Sequence, residues 1–273
     1  MSSHESPPTT WYLFHENTLF LTEEGTLPTT RDARPPIPVV LHEPVVWSQE
    51  QQRCGEIASS LSIPSGWTPI SLRAVYSQFS HREAALAGRA FQIKEWAVQH
   101  QFCGQCGAPT NRSRTEYAAL CSHCNRRYYP RISPAIIVAI SREDTILLAH
   151  NARFPQNRYS LIAGFMEPGE TPELTIRREV HEEVGITIDS ICYVASQSHP
   201  FPDSLMLGFT ARYAGGTIRP DGREILHADW FDREDLATVD LPSRRALSRA
   251  LIEWVMYRDV AALSPFQQKN RPF

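Results

Sequence analysis

The sequence is limited first by what it lacks. No run in its 273 residues approaches the ~18 consecutive apolar residues of a membrane-crossing helix, so no span is expected. The opening MSSHESPPTT has neither the basic nor the apolar region of a signal peptide, and the closing NRPF is no address tag. The expected compartment is therefore the cytoplasm. Charge of one sign is also scarce: the net charge is −3 and the pI about 6.4. That argues against a broad cationic surface for nucleic acid and leaves room only for a local basic patch. There is no internal repeat and no low-complexity segment. What is present, 42% hydrophobic and 21% charged residues, is ordinary for a globular chain long enough for two domains.

Read in order, residues 1–100 form a small α+β domain. WYLF (11–14) and TLFLT (18–22) read as strands joined by a turn, and Arg31 to Pro44 as a proline-rich loop or edge. VVWSQEQQRCGEIASSLSI is ambiguous between strand and helix, and EAALAGRAFQIKEWAVQH (83–100) reads as a helix. Then Cys103-Gly-Gln-Cys106 and Cys121-Ser-His-Cys124 stand fourteen residues apart. Two such knuckles suit one tetrahedral Zn²⁺, each turn offering two thiolates. Four thiolates leave no open coordination position, so this zinc is structural. Two disulfides or reduced thiols are the alternative, and the absence of a secretory signal disfavours disulfides. Residues 101–130 are accordingly a zinc ribbon, 131–262 a second α/β domain and 263–273 a tail. In the second domain 134–140, 145–150, 159–165, 191–198, 205–214 and 227–231 read as strands, and 243–260 as a final amphipathic helix.

The chemistry concentrates in GFMEPGETPELTIRREVHEEVGI, Gly164 to Ile186. Thr171 suits an N-cap, Pro172 the first helical position and Gly185 the stop. Ile176, Val180 and Val184 recur every four residues and mark a buried face, with Glu179 and Glu183 on the face beside it and Glu182 adjacent. Like charges at that spacing repel. A cluster of carboxylates flanking an apolar face is suited to hard divalent cations, Mg²⁺ or Mn²⁺, which in turn bind phosphates.

Gly164, Glu170 and the run Arg178-Glu179-Val180-His181-Glu182-Glu183-Val184-Gly185-Ile186 resemble a complete Nudix box. The resemblance implies the Nudix α/β/α sandwich with a mixed sheet, and hydrolysis of a nucleoside diphosphate linked to another group. Ser196-Gln-Ser-His-Pro-Phe-Pro-Asp-Ser204 is similar to the signature of the NADH pyrophosphatase branch, with Ser198 and His199 standing where that branch has Pro and Trp. The ribbon just upstream agrees. The resemblance covers residues 83 to 260 well and the N-terminal part only in layout.

What the branch implies is cleavage of the NAD(H) pyrophosphate to nicotinamide mononucleotide and AMP, removal of NAD caps from RNA, and a homodimer with pockets built by both subunits. Carried over residue by residue, Glu179, Glu183, Glu224 and the Ala163 carbonyl hold the divalent metal. Glu183 is the favoured base, Glu182 a ligand or base, and Arg178 orients the glutamates. Substrate contacts fall on Arg73, Glu116, Tyr129 from the partner subunit, Ala163, Phe165, Gln197, Ser198, His199, Pro200, Phe201, Pro202, Asp203, Ser204 and Ser248. Arg73 lies where the resemblance is weakest. Two other readings stay open: a Nudix hydrolase of another dinucleotide or ADP-ribose, which the His199 departure permits, and a non-catalytic nucleotide sensor or nucleic-acid-binding module that reads through the ribbon.

Overall fold

A computed structural model describes residues 7–31, 34–46, 49–63 and 65–266. The chain forms two compact units, one reaching Arg131 and the other starting at Ile132.

In the first unit, β1 (Thr9–His15) and β2 (Thr18–Thr22) make the expected hairpin, with Leu13 opposite Phe20. Strands β3 (Thr29–Thr30), β4 (Val39–Val46), β5 (Gln49–Ile57) and β6 (Trp67–Ser71) complete a sheet ordered β4-β5-β1-β2-β6, with β3 on β1. The proline-rich stretch thus supplies an edge strand, where Pro44 is tolerated because one side of the ladder is unpaired. The ambiguous segment holds β5, which lies between β4 and β1 and runs parallel to β1. Its QEQQRCGE composition hides a strand that pairing, not propensity, creates. Helix α1 (Leu72–Gln78), unforeseen because it is so short, is capped by the Ser71 hydroxyl accepting from Ala74 N. Helix α2 (His81–Gln99) starts two residues ahead of the expected 83, since Ser80 and Glu83 form a reciprocal capping box. Its buried face carries Ala84, Ala87, Phe91 and Ala97. Short strands β7 (Thr110–Arg112), β8 (Ala119–Cys121) and β9 (Arg127–Tyr128) form the three-stranded ribbon, and Trp96 Nε1 donates to Tyr128 O at 3.0 Å.

The second unit contains β10 (Ser133–Arg142), β11 (Thr145–Asn151), β12 (Ile162–Phe165), α3 (Pro172–Val184), β13 (Ile186–His199), β14 (Ser204–Gly216), β15 (Ile225–Phe231) and α4 (Leu247–Tyr257). Its sheet is ordered β13-β14-β10-β11-β15, with β12 added on β10. It is mixed, because β10 and β14 run parallel while the other pairs are antiparallel. Alternation along β10 separates the two layers. Ile136, Val138 and Ile140 pack with Ile176, Val180 and Val184 of α3, whereas Ile137 and Ala139 pack with Leu247 and Leu251 of α4. Each such fully buried aliphatic side chain contributes about 1.5–3 kcal/mol, so the sandwich is held from both faces. Helix α4 is shorter than the expected 243–260: Arg258 adopts φ 57° and stops it. None of the described helices is long and apolar enough to cross a membrane.

Candidate active site

Helix α3 is placed by its own sequence. The Thr171 hydroxyl accepts from Leu174 N, Pro172 opens the first turn, and Gly185 at φ 73° ends the helix in the left-handed region that glycine enters without strain. Burying Ile176, Val180 and Val184 fixes the rotation of α3, and this turns Glu179 toward β12. Gly164 of β12 leaves room for it: a Cβ at this position would overlap the Glu179 carboxyl, which would have to move from its place beside Arg178.

Arg178 organises the acids. Its guanidinium donates to both Glu170 oxygens, at 2.6 and 2.9 Å, to Glu179 Oε1 at 2.8 Å, to Glu182 Oε2 at 3.1 Å and to the Phe165 carbonyl at 3.1 Å. Glu170 also accepts from Glu167 N and from the Thr175 hydroxyl. Led by the Arg178 bonds, these hold its pKa down at about 2. Glu170 is therefore a permanent anion that anchors the loop rather than a reacting group.

Glu183 is the opposite. It is only 7% exposed, and its Oε2 is buried with no hydrogen-bond partner among the described residues. Burial, then the charges of Glu179, Glu224, Asp221 and Glu182, push its pKa up to about 8. Burial also raises Glu179. A buried carboxylate oxygen without a donor is costly, and a cation removes that cost. The donor set, all carboxylate oxygen, suits Mg²⁺ or Mn²⁺. The chemistry of these donors thus fits a divalent ion, although among the described residues their oxygens are not drawn as close together as the four sulfurs of the ribbon.

Two residues that sequence reading passed over position Glu224. Asp221 accepts from the backbone N–H groups of Arg223, Glu224 and Ile225 and folds the loop that carries Glu224. Asn151 Nδ2 donates to Glu224 Oε1 at 3.3 Å. The available signal was Asp-Gly-Arg-Glu, an Asx-turn sequence.

Phe165 leaves β12 with 54% of its surface exposed, so it is no core residue and its ring is open to stacking. The loop after β13 is more built than open. Gln197 spends its amide on the chain, Nε2 donating to Arg245 O and Oε1 accepting from Leu247 N, which grips the start of α4. Pro200 and Ser204 are buried, as is Ser248, while Ser198 and Pro202 are exposed. Asp203 accepts from Ser133 N through its carbonyl. The His199 ring packs edge-on against Phe201 with centroids 4.8 Å apart. Ala163 lies opposite Ile137 in the β10–β12 ladder. Arg73, in α1, and Glu116 and Tyr129, in the ribbon, belong to the first unit.

In the ribbon, Cys103, Cys106, Cys121 and Cys124 bring all four Sγ atoms within 4.8 Å of one another, at separations of 3.5, 3.6 and 3.7 Å where they touch. A tetrahedron with ~2.3 Å Zn–S arms has edges of about 3.8 Å, so one zinc fits the cluster. All six cysteines are free, which sets aside the disulfide alternative. The Tyr128 hydroxyl lies 3.2 Å from Cys103 Sγ and is the main cause of that thiol's pKa falling to about 5, which favours the thiolate a metal needs.

The chain matches three family models: a NADH pyrophosphatase-like rudimentary NUDIX domain over residues 8–96, a NADH pyrophosphatase zinc ribbon domain over 99–129 and a NUDIX domain over 131–255. Similar curated proteins include the NAD-capped RNA hydrolase NudC of Salmonella paratyphi C (strain RKS4594) and that of Klebsiella pneumoniae subsp. pneumoniae. Each is 50% identical over 168 residues, a stretch covering 62% of this chain and 65% of the relative's own length. Among solved structures, a NUDIX hydrolase from Nitrosomonas europaea is similar with a TM-score of 0.47 and 25% identity, covering 56% of this chain and 91% of that one. From residue 8 to residue 255 the chain thus carries, in order, a NADH pyrophosphatase-like rudimentary NUDIX domain, a NADH pyrophosphatase zinc ribbon and a NUDIX domain.

Proposed function

We propose that this chain is a metal-dependent hydrolase that cleaves the pyrophosphate of NAD(H) to nicotinamide mononucleotide and AMP, including NAD carried as the cap of an RNA. The observation that carries the reading is the buried, partnerless Glu183 oxygen among Glu179, Glu182 and Glu224. The half-identical relatives named as NAD-capped RNA hydrolases support the choice of substrate.

In this reading Glu179, Glu183, Glu224 and the Ala163 carbonyl hold Mg²⁺ or Mn²⁺. A bound divalent ion supplies charge neutralisation at the phosphates and acidifies a coordinated water. The chain's own groups do the rest. Arg178 holds Glu179 and Glu182 at a set separation. Glu183, with Glu182 behind it, takes the proton of the attacking water as its oxygen bonds to one phosphorus. The bond from that phosphorus to the bridging oxygen breaks, and the bridging oxygen leaves on the other mononucleotide. Phe165 offers a face for the nicotinamide or adenine ring. One structural zinc stays in the ribbon, the chain works as a homodimer in which Tyr129 serves the partner's pocket, and its compartment is the cytoplasm.

The test is incubation of the purified chain with NADH, NAD⁺, ADP-ribose and NAD-capped RNA, each with Mg²⁺ or Mn²⁺, followed by mass spectrometry of the products. Nicotinamide mononucleotide and AMP from NADH, and 5′-monophosphate RNA from the capped substrate, are expected. Turnover of ADP-ribose without turnover of NADH would overturn the substrate assignment. Elemental analysis after brief EDTA dialysis should still find about one zinc per chain, and light scattering should find a dimer.

A further inference from the structure

The overall charge of −3 conceals a local reversal. Residues 99–131 carry five arginines (Arg112, Arg114, Arg126, Arg127, Arg131) against a single acid, Glu116. The rest of the chain carries 22 basic and 29 acidic residues. Moreover the chain has only two lysines, so its cations are guanidinium groups, which both grip phosphate and stack on bases.

The five do different work. Arg112 is committed to structure, donating to Glu43 Oε1, His100 O and Ala97 O and lying over Trp96. Arg126 contacts Gln105 at the knuckle end. The other three gather at the opposite end of the ribbon sheet. Arg114 sits in the turn between β7 and β8. Ala119 faces Tyr128 and Leu120 faces Arg127, so the chain leaving β9 through Tyr129 to Arg131 runs toward that same turn. There Arg127 donates to Glu116 at 2.6 Å, which holds its guanidinium beside Tyr129, half exposed at 52%. Arg114 and Arg131 are exposed and make no hydrogen bond or ion pair among the described residues.

We propose that this turn end of the ribbon binds the single-stranded RNA chain attached to the NAD cap, with Arg114 and Arg131 on successive phosphates and the Arg127 plane open to a base. The inference rests on the proposed substrate above. Free cations beside an exposed aromatic ring form the pattern that single strands recognise: backbone charge neutralised by guanidinium, bases stacked on flat faces. A dinucleotide such as NADH has no RNA chain and gains nothing from Arg114 or Arg131.

The experiment compares the full-length wild type with Arg114→Ala/Arg131→Ala and Arg114→Lys/Arg131→Lys, on NADH and on NAD-capped single-stranded RNA, over a salt series. The alanine pair should raise KM for capped RNA roughly tenfold and flatten its log–log salt dependence by about 1.4, ~0.7 for each phosphate that is no longer neutralised. kcat/KM for NADH should stay within about twofold, since cations that act outside the cap add nothing to a dinucleotide. The lysine pair should recover most of the loss. Unchanged KM and salt slope on capped RNA overturn the proposal, and so does an equal fall on both substrates, which would mean damage to the fold or the cap pocket. If the wild type cleaves neither substrate, the proposed activity fails on its own account. The surface is then judged by fluorescence anisotropy with uncapped single-stranded RNA: weaker binding by the alanine pair upholds it, and equal or absent binding overturns it.

Discussion

Each unit buries a charged side chain on the helix that packs against its sheet, and the two are treated oppositely. In the first unit Lys94 of α2 is 1% exposed. Its ammonium meets Glu56 Oε2 at 3.0 Å, Glu95 and the Glu16 carbonyl, and it lies over the Phe91 ring at 4.6 Å. Everything the charge needs is inside the unit. In the second unit Glu183 of α3 is 7% exposed, is surrounded by other acids and has an oxygen with no donor among the described residues. Lys94 finds opposite charge within its own unit, whereas Glu183 is set among like charges, which a cation from solution would relieve.

If that contrast is right, substitutions should divide cleanly between activity and stability. The largest expected effect is on catalysis. Glu183→Gln keeps shape and removes charge, so kcat should fall ~10²-fold or more while thermal unfolding is unchanged or occurs at higher temperature in metal-free protein. Near-normal turnover would break the comparison at its centre. Glu224→Gln should lose less and need more Mg²⁺ or Mn²⁺ for half-maximal rate.

Lys94→Met should show the reverse pattern. Removing one member of a buried pair leaves Glu56 uncompensated and costs ~3–5 kcal/mol, read as a lower urea midpoint at constant slope. Turnover per folded molecule should be unaffected. A Lys94→Met chain as stable as wild type would mean that its cage is decoration.

The pH dependence sharpens the same point. Glu183 has a folded pKa of about 8 against an ordinary 4.5. It therefore favours the folded state fully below pH 4.5, and that contribution is lost as pH rises toward 8. Metal-free wild type should lose stability relative to Glu183→Gln across this window, and Mg²⁺ at pH 8 should restore it. Glu170, lowered to about 2, acts with the other sign: its contribution is present above pH 4.5 and disappears as pH falls toward 2. Denaturant titrations at pH 5 and pH 8, with and without EDTA, check the Glu183 window, and a further titration at pH 3 checks Glu170.

The smallest effect concerns His199. Its ring packs on Phe201, where the resembled signature has Trp. Base stacking on an aromatic is worth ~1–3 kcal/mol, and an imidazole offers part of that. His199→Trp should lower KM for NADH severalfold with little change in kcat. Identical KM values for wild type, His199→Trp and His199→Ala at pH 6 and pH 8 would remove His199 from the pocket.

Much of the site was legible because its signals are local. Cys-x-x-Cys knuckles, the cap and stop of α3 and the four-residue spacing of Ile176, Val180 and Val184 all act within a few turns of chain. Strand β5 and helix α1 were not legible for the converse reason. The polar QEQQRCGE becomes a strand only through neighbours at 10–14 and 39–46, and α1 is too short to show a period. Gln197 lay in a stretch expected to touch substrate, yet its amide grips α4 some fifty residues on.

Local chemistry therefore settled which atoms this protein has to work with: four thiolates at a spacing that suits one metal, and glutamates on one helical face, since both depend on short chain geometry alone. It could not settle the state of those atoms. That Glu183 is buried and lacks a donor, that Glu170 is held ionised by Arg178, and that Asp221 and Asn151 aim Glu224 are consequences of segments distant in sequence meeting in space. Desolvation and charge–charge repulsion depend on what surrounds a group, and only the folded chain specifies the surroundings.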